Sequence, residues 1–185
     1  MRLLLSLCAV KAWVPNVIDA TTAVLQRRPI ERNVYLKTPK AAMENPNTVW
    51  KRHVTMYILA DAQKAWFKTV KDFFLSIGKK QLIREPAVFV WFEGGLLKGF
   101  VSTHIDDFLW SGDRTFESNT IEQLQNRFPI GEETRGDFVH VGVRIRTILD
   151  GGGNLTEILM DQEDYVEEIK EAEFNRDLKD DVLLG

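Results

Sequence analysis

Two adjacent carboxylates, Asp106 and Asp107, interrupt the otherwise apolar stretch Phe100-Val101-Ser102-Thr103-His104-Ile105-Asp106-Asp107-Phe108-Leu109-Trp110. Placing paired acids in an apolar hairpin is unfavourable, because burial penalises each charge and neighbouring like charges repel. A divalent cation relieves both penalties, since Mg²⁺ takes oxygen ligands from one or two carboxylates together with substrate phosphates. A third acid, Asp19, closes the short apolar run Asn16-Val17-Ile18-Asp19. Three carboxylates at neighbouring strand ends would make the oxygen cage of a two-metal phosphoryl-transfer site, which requires them to converge. Asp-Asp by itself is more often an ordinary turn between strands, so the pair alone leaves both readings open.

The elements that must position these residues are legible from periodicity. Ala87 to Phe92 is a short aromatic run, hence a buried strand; Gly94-Gly95 is a hairpin turn, and Leu96 to Ile105 returns beside it. Phe108 to Trp110 continues as a further strand. The apolar residues from Leu59 to Ile77 recur at helical spacing and Gly78 supplies a stop, while Lys64, Lys68 and Lys71 occupy the opposite face. A helix ahead of Pro15, a helix from Thr115 to Phe128, strands at Val34–Lys37 and Val49–His53, and a turn at Asn45-Pro46-Asn47 complete the first part. Phe138 to Ile145 alternates as one strand, Gly151 to Asn154 turns, Leu155 to Met160 pairs back, and Asp161 to about Ala172 reads as a short helix before a charged tail. Hairpins interleaved with helices imply an α+β layer, an antiparallel sheet with helices packed on one face.

With 185 residues, 44% of them hydrophobic, the chain can bury a core without disulfides, and its single cysteine, Cys8, cannot form an internal bridge. One Cys and three scattered His exclude a zinc site of the usual spacing. The apolar start Leu3–Val10 is broken by Lys11 and lacks a small-residue cleavage site, so it reads as a buried helix rather than a signal peptide. The net charge of −3 conceals an asymmetry: residues 1–84 carry +10 and residues 85–185 carry −13. A basic half suits a polyanion, although solvation of the fold accounts for such charge equally well.

Several blocks then occur in order. Ile18-Asp19-Ala20-Thr21-Thr22-Ala23-Val24-Leu25 precedes Val34-Tyr35-Leu36-Lys37-Thr38-Pro39; Met56-Tyr57-Ile58-Leu59-Ala60-Asp61-Ala62-Gln63-Lys64-Ala65-Trp66 leads into Phe73 to Gly78. His104-Ile105-Asp106-Asp107-Phe108 follows, then Phe128 to Gly131, Phe138 to Ile145, and Leu159 to Val166. In order and spacing, over residues 2 to about 170, these blocks resemble the reverse transcriptase domain of copia-type retrotransposons.

The resemblance implies a reverse-transcriptase-like palm with partial fingers in residues 1–150. Residues 151–185 would be a hairpin, short helix and charged tail leading towards a thumb. It implies RNA-directed DNA polymerase activity by two-metal nucleotidyl transfer, with Asp19, Asp106 and Asp107 as catalytic metal ligands for Mg²⁺ or Mn²⁺. The partners would be an RNA/DNA template-primer and deoxynucleoside triphosphates, with Arg27, Arg28, Arg32, Lys51, Arg52, Lys64, Lys68 and Lys71 along the nucleic-acid backbone. No membrane partner is expected, and the compartment would be cytoplasmic or nuclear, not secretory. The family's upstream basic fingers segment and a full thumb fall outside the chain, which is therefore expected to be a polyprotein fragment or a decayed element. Ile58, Asp61 and Gln63 stand where the family has glycine, glutamine and proline, and an acid at Asp61 would repel a triphosphate. That departure supports a second reading, an inactive palm remnant acting as a binding or structural module. Another two-metal carboxylate enzyme, such as a nuclease, explains the acids but not the ordered blocks.

Overall fold

The apolar runs pair into antiparallel sheets in a computed structural model that describes residues 1–21, 29–38, 49–54, 60–167 and 169. Helix α1 (Arg2–Lys11) leads into β1 (Asn16–Asp19). A separate ribbon follows, β2 (Pro29–Lys37) paired with β3 (Val49–Val54). Then come α2 (Ala60–Ser76), β4 (Lys80–Gln81), β5 (Val88–Glu93), β6 (Leu96–His104) and β7 (Asp107–Gly112). A helical stretch runs through α3 (Arg114–Phe116), a π turn (Glu117–Ile121) and α4 (Glu122–Arg127). The chain continues with β8 (Glu133–Arg135), β9 (Asp137–His140), β10 (Val143–Leu149), β11 (Leu155–Asp161) and α5 (Glu163–Glu167). The main sheet has six strands in the order β4-β5-β6-β7-β1-β8, and a second sheet has the order β11-β10-β9.

Two findings correct the expectations. The helices do not share one face of the sheet. Ile18, Phe89, Val101, Phe108 and Trp110 meet α2 and the α3–α4 stretch through Trp66, Val70, Phe74, Phe116 and Leu124. On the other face Val88, Val90 and Phe100 meet Leu4 and Cys8 of α1, and Leu109 meets Leu5, Phe138 and Ile145. Strands covered on both faces lose the alternation of a half-buried sheet, which is why β5 reads as a continuous apolar run. The second correction concerns Phe138–Ile145, which is a hairpin rather than one strand. Val141 and Gly142 both take positive φ, +53° and +70°, the signature of a two-residue turn. Alternation survives across it because β9 and β10 each keep their own period.

The remaining expectations differ in smaller ways. Helix α2 ends where Gly78, at φ +77°, lets the chain reverse. The π turn within α3–α4 and the short strands β4 and β8 carry no periodicity of their own. The Asn45–Asn47 turn, the stop at Pro39, the block from Met56 to Leu59 and the chain beyond residue 169 lie outside the described residues. Among the described residues, no helix is long and apolar enough to cross a membrane. Buried Cys8 has its thiol pushed up to about 11 by desolvation, so it stays protonated and unreactive.

Close packing joins the β6–β7 hairpin to α3. A Cβ on Gly99 would lie 2.3 Å from Cγ of Phe116, a distance real contacts do not reach. Gly99→Ala is therefore expected to destabilise the fold by about 1–3 kcal/mol through overpacking, read as a lower urea midpoint with an unchanged slope.

Candidate active site

Strand β1 lies directly against β7, in the register Asn16↔Trp110, Val17↔Leu109, Ile18↔Phe108 and Asp19↔Asp107. Directly opposed residues put their side chains on the same face, about 4.5–5.5 Å apart at Cβ. Asp19 and Asp107 thus face one another at the strand ends. Asp106 occupies the two-residue connection Ile105-Asp106, which His104 and Asp107 close as a cross-strand pair. The Ala20 N–H donates to the Asp106 carbonyl at 2.8 Å, so the chain just past Asp19 is bonded to the turn itself.

The turn is strained and braced. Ile105 sits at φ +50°, a region that β-branched residues rarely enter. Its carbonyl accepts a 2.7 Å hydrogen bond from the indole Nε1–H of Trp66 on α2. Trp66 is itself fixed in the core, edge-on to Phe108 and Phe128 at 6.4 and 5.1 Å. The loop after Phe128 bonds to Asp19 as well: the Gly131 N–H donates to the Asp19 carbonyl at 2.7 Å. A Cβ on Gly131 would lie 3.1 Å from Asp19 Oδ2 and 3.2 Å from Thr21 Oγ1. Trp66 and Gly131 belong to the sequence blocks, yet nothing in periodicity distinguishes an indole that packs from one that also donates a hydrogen bond.

Electrostatics tie the three acids together. Desolvation raises the Asp107 pKa, and the charges of Asp19 and Asp106 raise it further against an opposing contribution from His104. His140, at the end of β9, is 4% exposed and brings Nδ1 to 3.7 Å from Asp107 Oδ2. Burial, the neighbouring His104 ring and the chain's amino terminus lower its pKa to about 4. The imidazole is therefore neutral at pH 7, and its approach to Asp107 is not an ion pair. His140 was visible in the sequence only as part of an alternating strand.

The β1–β7 register sets the backbones of Asp19 and Asp107 side by side, with Asp106 in the adjoining turn. Among the described residues, no group of three or more His, Cys, Asp or Glu side chains is close enough to hold a metal ion. The donor chemistry nonetheless suits a hard cation, three carboxylates with mutual repulsion evident at Asp107.

The expected nucleic-acid residues divide. Lys64 and Lys68 are exposed and Lys71 half-buried on α2, on the side away from Trp66, Val70 and Phe74. Lys51 is exposed on β3, opposite Tyr35. The backbone of Arg32 lies in β2 and that of Arg52 in β3, with side chains outside the described residues, where Arg27 and Arg28 also fall.

Residues 1–175 match the family described as reverse transcriptase (RNA-dependent DNA polymerase). The chain belongs to that family. Among curated proteins it is similar to the retrovirus-related Pol polyprotein from transposon RE1 of Arabidopsis thaliana, 27% identical over 133 residues, 70% of this chain and 9% of that protein. It is also similar to the polyprotein from transposon RE2 of the same plant, 24% identical over 135 residues, 71% of this chain and 9% of that protein. The chain thus matches only about a tenth of the length of these relatives. No solved structure matches it. Membership of the reverse transcriptase family agrees with the ordered blocks.

The buried imidazole makes a pH prediction. The unfolded chain binds a proton at His140 near 6.5 and the folded chain only near 4, so between those values the unfolded state holds more protons. The stability from keeping the ring neutral is fully present above pH 6.5 and is lost towards pH 4, about 3 kcal/mol in all. Asp107 acts in the opposite sense: its raised folded pKa favours the fold at low pH and is a cost once pH rises through it. His140→Phe should flatten the stability–pH profile across that window, measured by urea unfolding in metal-free buffer.

Proposed function

We propose that this chain is the polymerase palm of a copia-type reverse transcriptase, extending a primer on an RNA template by metal-dependent nucleotidyl transfer. The observation that carries the reading is the register Asp19↔Asp107 with Asp106 in the adjoining turn. Two strands far apart in sequence carry three carboxylate residues to one sheet end, where a cation would offset their repulsion. Asp19, Asp106 and Asp107 would hold Mg²⁺ or Mn²⁺. When bound, the cations would ease deprotonation of the primer hydroxyl and neutralise charge on the departing pyrophosphate.

The protein's own part is positioning. The Trp66 hydrogen bond to Ile105 and the Gly131 hydrogen bond to Asp19 tie down the two acidic segments. Helix α2 carries Lys64, Lys68 and Lys71 on its outer face, so the helix that braces the acidic turn also offers cations to a phosphate backbone. On this reading residues 1–150 form the palm with residual fingers. Residues 151–185 lead towards a thumb, the division falling at the turn between β10 and β11. Template-primer and deoxynucleoside triphosphates are the partners.

Primer extension on an RNA template with Mg²⁺ or Mn²⁺ tests the reading. In the polyprotein context, extension is expected and Asp106→Asn should abolish it; extension that survives Asp106→Asn overturns the assignment. Asp61 favours the second reading, an inactive remnant. That reading prevails if Mn²⁺ still binds while both the native chain and Asp61→Gln stay silent. For nucleic-acid binding, each phosphate contact adds about 0.9 to the slope of log affinity against log salt. Reversing Lys64, Lys68 and Lys71 to Glu should flatten that slope; an unchanged slope removes α2 from the interface.

A further inference from the structure

We propose that His140 is a positioning residue for the acidic site, its Nδ1–H bonding Asp107 Oδ2 and so fixing which carboxylate oxygen is offered to a cation. The inference rests on the polymerase reading and gives a role to a side chain that reading leaves unused. His140 Nδ1 lies 3.7 Å from Asp107 Oδ2, and the imidazole is only 4% exposed. Among the described residues, Nδ1 has no hydrogen-bond partner. A buried polar atom left unmatched is costly, and the Asp107 carboxylate is an acceptor close to hand.

Strand geometry aims the ring at the acid. Residues two apart on a strand share a face, so His140 points the same way as Phe138 on β9, and Asp107 the same way as Leu109 on β7. Phe138 and Leu109 belong to one buried cluster between the two sheets, with Val17 packed against it. Val17 in turn shares its face of β1 with Asp19. One layer therefore runs from Leu109, Phe138 and Val17 to Asp107, His140 and Asp19 at its end. The gap of 3.7 Å exceeds the usual N–H···O limit by about 0.5 Å, and contacts of this kind often tighten when a site fills. Asp107, with 39% of its side chain exposed, has room to turn its carboxylate and close the gap. Donation requires the tautomer with its proton on Nδ1, because a bare Nδ1 would face the carboxylate lone pairs. Carboxylates that ligate metals are commonly held by such a second hydrogen bond, whose loss weakens metal binding about 10–100-fold.

The test uses the full chain with ¹⁵N-labelled histidine. The ring nitrogens of His140, assigned through its own backbone, are expected to report the proton on Nδ1 and to shift when Mg²⁺ is added. Mn²⁺ affinity, read by electron paramagnetic resonance, should fall about tenfold in His140→Phe, which keeps a ring and removes the donor. His140→Asn restores an N–H near the Nδ1 position and should recover most of that affinity. The tautomer is read on the native chain, so the test holds if a variant fails to fold. A merely structural role would lower the urea midpoint of His140→Phe and leave the Mn²⁺ affinity of its folded form unchanged. That result overturns the positioning role alone, as does a proton on Nε2 in the presence of Mg²⁺. A native chain that binds no Mn²⁺ overturns the polymerase reading and this proposal together.

Discussion

Like charges repel, yet the strand register of this fold carries three carboxylate residues to the end of one sheet. Asp19 and Asp107 are forced together by the β1–β7 register, and Asp106 is carried in the turn that β6 and β7 share. Neutral groups hydrogen-bond to the backbone at and beside these residues. Trp66 grips the Ile105 carbonyl, Ala20 the Asp106 carbonyl and Gly131 the Asp19 carbonyl. Each restraint is a hydrogen bond to main chain rather than to a carboxylate. Strain at Ile105 fits the same pattern, since a disfavoured backbone conformation survives where its surroundings over-determine it.

The core explains why those restraints are rigid. Trp66 is one member of an aromatic assembly that runs through Phe108, Phe128, Phe73, Phe74 and Phe89. Moving its indole would disturb α2, the main sheet and the segment after α4 together. On the opposite face α1 and the second sheet cover Leu109, and the same hairpin that supplies Phe138 and Ile145 sets His140 beside Asp107. The acidic cluster is thus bordered by a buried neutral ring on one side and solvent on the other. This partial burial is what raises the Asp107 pKa.

Local chemistry made much of the fold legible. The stripe Trp66, Val70 and Phe74 has helical spacing, Gly78 ends it, and Gly94-Gly95 sits between two strand runs, so α2 and the β5–β6 hairpin follow from short-range rules. The Phe138–Ile145 segment shows the limit of such rules. A two-residue turn at Val141-Gly142 preserves the inward and outward alternation, so a hairpin and a strand look alike until the partner strand is known. Helix placement fails for a related reason: an apolar stripe says that α1 is buried, not which face of the sheet buries it.

The amino-acid sequence by itself determined the three acids, their position at strand ends, the basic face of α2 and the ordered blocks that mark the reverse transcriptase family. All of these depend on residue type and near-neighbour spacing. Tertiary structure decided which acids face one another, that Trp66 and Gly131 restrain them, and that His140 is neutral beside Asp107. Those facts depend on strand register and on packing between segments distant in the chain. A one-residue slip in register would turn every side chain to the other face, and no local pattern encodes that choice.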